Sequence, residues 1–226
     1  MRSSRPTTHT IVRMDDHGPT LADALRTQII DGAFTPGERL SEAALAERLD
    51  VSRNTLREAF RALAQVGLVQ HVPHRGVSVA SPATADVIDI YRARRLLECG
   101  VLRDASPLHP GVVAMRTALD QAAAAEADAD WTAVGSANMR FHSALVSLAD
   151  SPRLARAHDQ LAAELRLAFL AIDDPQSLHR PFVAKNRAVL EALESDGPVA
   201  AAAELERYLV DSERRVLGAF SRTGRP

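Results

Sequence analysis

From Thr20 onward, apolar residues recur at spacings of three and four, the signature of helices with one buried face. Leu21, Leu25, Ile29 and Ile30 form the first such face, which Gly32 closes. Phe34-Thr35-Pro36-Gly37 reads as a turn, with Pro36 fixing φ and Gly37 free to take positive φ. Ser41 caps a short helix, SEAALAERL, whose Leu45 and Leu49 face inward and whose Glu42 sits where the helix dipole favours an acid. A tight connection at Asp50-Val51 leads to a third helix, VSRNTLREAFRALAQVG, in which Ser52 is the N-cap, Leu56, Phe60, Leu63 and Ala64 make the stripe, and Gly67 is the stop. The pattern then changes. Leu68 to Val72 reads as a strand, Pro73-His74-Arg75-Gly76 as a turn, and Val77 to Val79 as a return strand.

Beyond Ser81-Pro82-Ala83-Thr84, with Thr84 as a cap, strand patterns cease. Helices are expected near 84–105, 110–126, 130–149, 152–172, 178–195 and 198–219, punctuated by Pro107, Pro110, Asp128 to Asp130, Ser151-Pro152, Asp173 to Pro175 and Asp196 to Pro198. The expected fold is mainly α. An N-terminal winged helix-turn-helix spans 19–80 and a linker spans 81–84. An all-α bundle of six to seven helices spans 85–220, with a disordered arm at 1–18 and a tail at 221–226.

Composition narrows the function classes. Alanine is abundant and aromatic residues make up only 4%, which favours helices over strands. The net charge of −2 offers nothing to nucleic acid at whole-chain level, so a DNA-binding surface has to be local. Cys99 is the single cysteine, which excludes an intramolecular disulfide framework and a cysteine-cluster metal site. No apolar run is long enough to span a membrane, and the polar N-terminus lacks the core of a secretory signal. A cytoplasmic location, with no membrane partner, is expected.

The third helix carries the sharpest chemistry. Arg53, Asn54, Thr55 and Arg57 crowd hydrogen-bond donors into its first turns, opposite the apolar stripe. Such a helix suits a DNA major groove, where Arg donates two parallel bonds to guanine O6 and N7 and Asn or Thr reach neighbouring edges or phosphates. Taken alone it is equally an ordinary amphipathic helix with a solvated basic end. The hairpin tips the balance: as a wing it brings Arg75 to its tip, and Gly76 allows backbone to approach a phosphate.

In the second half, polar residues interrupt apolar faces. Asn138 and His142 lie one turn apart on the stripe of Val134, Phe141, Leu145 and Leu148. Asn186 sits amid Phe182, Val183, Val189, Leu190 and Leu193, and Tyr208 among Leu205, Leu209 and Val216. These groups either meet around a ligand cavity within the bundle or are satisfied separately by backbone and water. Arg94 and Glu98, also one turn apart, form an i,i+4 ion pair, worth about 0.3–0.5 kcal/mol if exposed. The alternative for Arg94 is to bind a ligand carboxylate.

The order of motifs, PGERLSEAALAERLDVSRNTLREAFRALAQVGLV followed by a glycine-tipped hairpin, resembles the GntR family of bacterial transcription regulators. RARRLLE, NMRFHSAL and NRAVLEAL in the second half resemble the FadR-type effector domain, FCD, of the six-helix subgroup. The resemblance implies DNA-reading roles for Arg53, Asn54, Thr55, Arg57 and Gly76. Ala43 stands where many relatives carry a DNA-contacting arginine. Metal-binding FCD members use an Asp four residues before a His and two later histidines; the matching positions here are Asn138, His142, Asn186 and Tyr208. Neutral Asn and Tyr are poor metal ligands, so neither metal nor cofactor is expected. The expected partner is double-stranded operator DNA, bound by a homodimer because two-fold sites call for a two-fold protein; the expected control is a small-molecule effector at Arg94, Asn138, His142, Asn186 and Tyr208, with an organic acid as the expected class. An enzyme is not expected, because no paired acids, metal set or nucleophile–base pair stands out. A DNA-binding regulator with a vestigial effector domain is the nearer alternative.

Overall fold

The computed structural model describes residues 20–72 and 76–223. The expected arm at 1–18 and the expected wing tip, with Arg75, lie outside the described residues. In the N-terminal half the elements are α1 (Leu21–Ile30), β1 (Arg39–Leu40), α2 (Glu42–Arg48), α3 (Arg53–Gln65), β2 (Val69–Val72) and β3 (Gly76–Val79). The second half is α4 (Thr84–Arg103), α5 (Gly111–Ala127), α6 (Trp131–Ser147), α7 (Pro152–Leu170), α8 (Pro175–Ser195) and α9 (Pro198–Thr223). This is a winged helix-turn-helix followed by six helices among the described residues.

Local chemistry explains the boundaries. Ser41 and Ser52 cap α2 and α3, accepting bonds from the N–H groups of Ala44 and Thr55. The α2–α3 turn is closed by Asp50 at φ 52°, a left-handed conformation that Asp tolerates better than most residues. Gly67, at φ 71°, ends α3, and Glu164 of α7 packs directly on it. The sheet contains a strand that the hydrophobic pattern did not predict. β1 pairs antiparallel with β3, Arg39 opposite Ser78 and Leu40 opposite Val77, and β3 pairs with β2 in turn. Two residues carry no readable alternation.

Three boundaries differ from expectation. Thr84 is the first residue of α4, not its cap; Ala83 is the cap position, and Asp86 accepts from its N–H at 2.7 Å. α8 begins at Pro175, with Asp174 as cap, and runs straight through Pro181. A proline inside a helix leaves the carbonyl four residues earlier without its donor. Here that carbonyl belongs to Ser177, and Arg215 of α9 donates to it at 2.8 Å. α9 continues to Thr223, beyond the expected start of the tail.

Two apolar clusters form. One fills the six-helix bundle; the other fills the winged half with Leu25, Ile29, Leu56, Phe60, Leu63, Leu68, Val77 and Val79. α7 belongs to both. Its Leu165, Ala168 and Phe169 sit in the bundle core, while Ala163 and Leu167 complete the winged core.

Candidate functional site

The first candidate surface is the start of α3. Leu56, Ala59, Phe60 and Leu63 bury one face of this helix, so Arg53, Asn54, Thr55 and Arg57 are left exposed on the other. Thr55 is tied to the cap, its hydroxyl 2.8 Å from Ser52 Oγ. Arg57 reaches back to α2, its Nε donating to Glu42 at 2.8 Å. The pair is exposed and worth under about 1 kcal/mol, so it orients Arg57 without locking it. Gly76 is exposed at φ 82° with open space where a Cβ would stand, leaving its backbone approachable.

The second candidate is a polar centre inside the bundle. The four residues singled out on three helices do meet. Asn138 Oδ1 accepts from Asn186 Nδ2 at 2.7 Å and from the Tyr208 hydroxyl at 2.8 Å. The ring of His142 stands 5.0 Å from that of Tyr208, which in turn packs edge-on to Phe182 at 4.9 Å. Beside them lies Glu98, fully buried on α4. Its two oxygens face Arg94 Nε at 2.6 Å, His142 Nδ1 at 2.8 Å and His158 Nε2 at 3.5 Å.

Arg94 is therefore the ion-pair partner of Glu98, the first of its two expected uses. The pair is buried rather than exposed, so the exposed-pair magnitude does not apply. Removing either partner would strand a buried charge, at about 3–5 kcal/mol. An organic acid reaching for the same guanidinium would have to compete with Glu98.

Protonation follows from these contacts. Burial alone would raise the Glu98 pKa, but Arg94 and the two donating imidazoles hold it well below the usual carboxylate range. Burial lowers the His142 pKa, and Arg94 lowers it further against the pull of Glu98. His142 is thus a neutral imidazole beside a carboxylate, with its hydrogen on Nδ1 and a bare Nε2. Burial raises the Tyr208 pKa, which keeps the phenol protonated. A divalent metal does not fit this set. Asn138 Oδ1 already accepts two bonds, Tyr208 is a neutral donor, and both oxygens of Glu98 are engaged.

A third group joins the two halves of the molecule. Arg166 of α7 is buried, donating from Nε to the Ile30 carbonyl at the end of α1 (3.1 Å) and from Nη2 to Ser136 on α6 (3.4 Å). His179 lies beside it, its pKa lowered to about 4 by burial and then by the Arg166 charge. Both crowd Gly135: a Cβ there would stand 2.6 Å from His179 Nε2 and 2.9 Å from Arg166 Nη1. A little way along α7, Asp159 accepts through its carbonyl from Arg26 of α1 at 3.2 Å.

His158, Arg166 and His179 were not singled out from the sequence. His158 lies on the stripe of Leu154, Leu161 and Leu165, so the spacing that marks His142 marks it too. His179 likewise shares a face with Phe182 and Asn186. Arg166 gives no such signal, because its partners are backbone and side-chain groups far away in sequence.

With this geometry in hand, the likeness to known proteins is informative. Residues 19–79 match the family described as bacterial regulatory proteins, gntR family, and residues 89–211 match the FCD domain. The solved structure of a transcriptional regulator GntR from Rhodococcus sp. RHA1 is 41% identical, with TM-score 0.84 over 88% of this chain and 96% of that one. Escherichia coli McbR/YncC shares the fold, with TM-score 0.75 over 88% of this chain and 96% of that one, at 22% identity. A probable D-xylose utilization operon transcriptional repressor of Paenarthrobacter nicotinovorans is 28% identical over 78% of each chain. The match to the HTH-type regulator YdhC of Bacillus subtilis, 42% identical, is confined to 33% of each chain. This chain belongs to the GntR family of bacterial regulatory proteins, as a DNA-binding transcriptional regulator whose helical half is an FCD domain.

Proposed function

We propose that this regulator binds operator DNA as a homodimer and that a small molecule in the polar centre of its FCD domain controls that binding. Arg53 and Arg57 read guanines in the major groove, Asn54 and Thr55 reach neighbouring edges or phosphates, and Gly76 and Arg75 of the wing track the backbone. The observation that carries the control step is the double membership of α7. At one end its His158 faces Glu98 in the polar centre. Further along, Ala163 and Leu167 sit in the winged core and Arg166 holds the end of α1. A ligand that moves or stiffens α7 therefore acts on the elements that carry α3. Such a switch works only if the ligand binds two states of the protein unequally.

Dimerisation through the helical half is supported by its exposed apolar residues. Leu96, Leu108, Val113 and Val199 all belong to that half, and Leu108 is 91% exposed. Control of metabolic genes fits the relative named for D-xylose utilization.

A thermal-shift screen of metabolites followed by operator titration tests the reading. A ligand that raises Tm should change operator affinity in the wild type. His142→Ala should abolish that change while leaving ligand-free affinity intact. A ligand that binds at the polar centre without altering operator affinity would refute the control step.

A further inference from the structure

The polar centre has a directional bias that identifies the chemistry of what it binds. Glu98 is ionised and can only accept, so the hydrogens of its imidazole neighbours point at it: Nδ1–H from His142 and Nε2–H from His158. His142 is left with a bare Nε2, which is buried without a partner. Asn186 spends its N–H on Asn138, and its own Oδ1 is likewise buried and unpartnered. Two unsatisfied acceptors, His142 Nε2 and Asn186 Oδ1, thus belong to residues that contact the Asn138–Tyr208 pair, His142 through its ring and Asn186 through its hydrogen bond. Buried polar groups in native proteins are nearly always paired, so two acceptors without donors point to a partner that supplies them.

We infer that the polar centre binds a neutral, hydroxyl-rich small molecule of the sugar or polyol class, which donates to His142 and Asn186, and that it rejects carboxylates. This rests on the proposal that the effector binds there, and it replaces the organic acid expected from the sequence. A carboxylate brings acceptors to acceptors. The fixed cation in reach, Arg94, is already neutralised by Glu98, and a second carboxylate would sit beside that buried anion. A cation fares no better, because the Arg94–Glu98 pair leaves the centre with no excess charge to balance it. Hydroxyl groups supply donors at no cost in charge. The rings of His142, Tyr208 and Phe182 offer apolar faces for the C–H side of such a ligand.

The same logic makes Glu98 the residue that sets specificity. In Glu98→Gln the side-chain amide can donate to His142 Nδ1. The imidazole then carries its hydrogen on Nε2 and presents a donor where the wild type presents an acceptor. Arg94 loses its counter-ion in the same step. The variant should therefore turn towards carboxylates.

The test uses the full-length protein and matched sets of one carbon skeleton: aldopentoses and aldohexoses, their alditols, and their aldonic acids. Calorimetry on the wild type should find a neutral compound bound at least about tenfold more tightly than its aldonate, as expected when a site must pair buried polar groups. Glu98→Gln should narrow or invert that ratio. Long-range 1H–15N spectra, with His142 assigned by its loss in His142→Ala, should show the hydrogen on Nδ1 in the wild type and on Nε2 in Glu98→Gln. Aldonates bound as tightly as the neutral compounds, no neutral compound bound, or a stoichiometric divalent metal in elemental analysis would each overturn the inference. If Glu98→Gln does not fold, the wild-type ratios and the wild-type spectrum decide. Operator titration with the same compounds separates the two proposals: a bound polyol that leaves DNA affinity unchanged refutes control of DNA binding but not the ligand class.

Discussion

Leu167→Ala should weaken the DNA-binding half of the protein although Leu167 lies in the FCD half of the sequence. Leu167 has no solvent exposure and packs in the winged core with Leu25, Ile29, Phe60 and Leu63. Truncating a fully buried leucine removes its transfer free energy and leaves a cavity, for a loss of about 3 kcal/mol. Because α7 is also a wall of the bundle, the loss should be felt on both sides. Native-state hydrogen exchange reads the winged side: slow amides of α1 and α3 should exchange about 100-fold faster, the equivalent of that free energy. Urea unfolding read by Trp131, the single tryptophan and a residue of α6, reads the bundle. Faster exchange confined to α4–α9, with α1 and α3 unchanged, would refute the shared-helix account. The same reasoning holds that residues 1–80 alone fold poorly, since they lack Ala163 and Leu167.

Lower pH should destabilise the protein through His179. Its pKa is about 4 in the folded chain against 6.5 for an ordinary imidazole, so the unfolded chain binds the extra proton between those limits. Stability should fall as pH drops from about 6.5 to about 4, by up to about 3 kcal/mol, and His179→Gln should flatten that slope in urea titrations. Arg166→Met should raise the His179 pKa, read by NMR, because it removes a neighbouring charge. It should change stability little, since a buried guanidinium without a carboxylate gains less from its bonds than its desolvation costs. Gly135→Ala should lose about 1–3 kcal/mol in thermal unfolding, because its Cβ runs into His179 and Arg166. A protein of residues 82–226 should stay dimeric by light scattering; a monomer there would move the interface to the winged half.

What the sequence made legible and what it did not divide along a physical line. The stripe of α3, the caps at Ser41 and Ser52, and the inward placement of Asn138, His142, Asn186 and Tyr208 all follow from spacing within single helices; that the four meet was one of two readings the spacing left open. Spacing also marks His158, which lies on its stripe as plainly as His142. β1 was invisible because two residues have no period, and its place is set by β3, far along the chain. The helix expected near 178–195 already contained Pro181; what spacing could not show is that the helix starts at Pro175 and that Arg215, far along the chain, donates to the Ser177 carbonyl that Pro181 leaves without its donor. Arg166 and the engagement of Arg94 by three-fold contacted Glu98 depend on which helices pack together, and a pattern read along one helix carries no information about its neighbours.

The reading of α3 as the DNA-recognition helix is tested most directly by selecting bound duplexes from a random pool, with the wild type and with Arg57→Ala. The wild type should select a short palindrome with guanine at a fixed place in each half-site. Arg57→Ala should lose about 1–3 kcal/mol on that sequence and relax preference at one base pair per half-site. A wild-type protein that selects no sequence, or an Arg57→Ala protein that selects the same one with the same affinity, would contradict it.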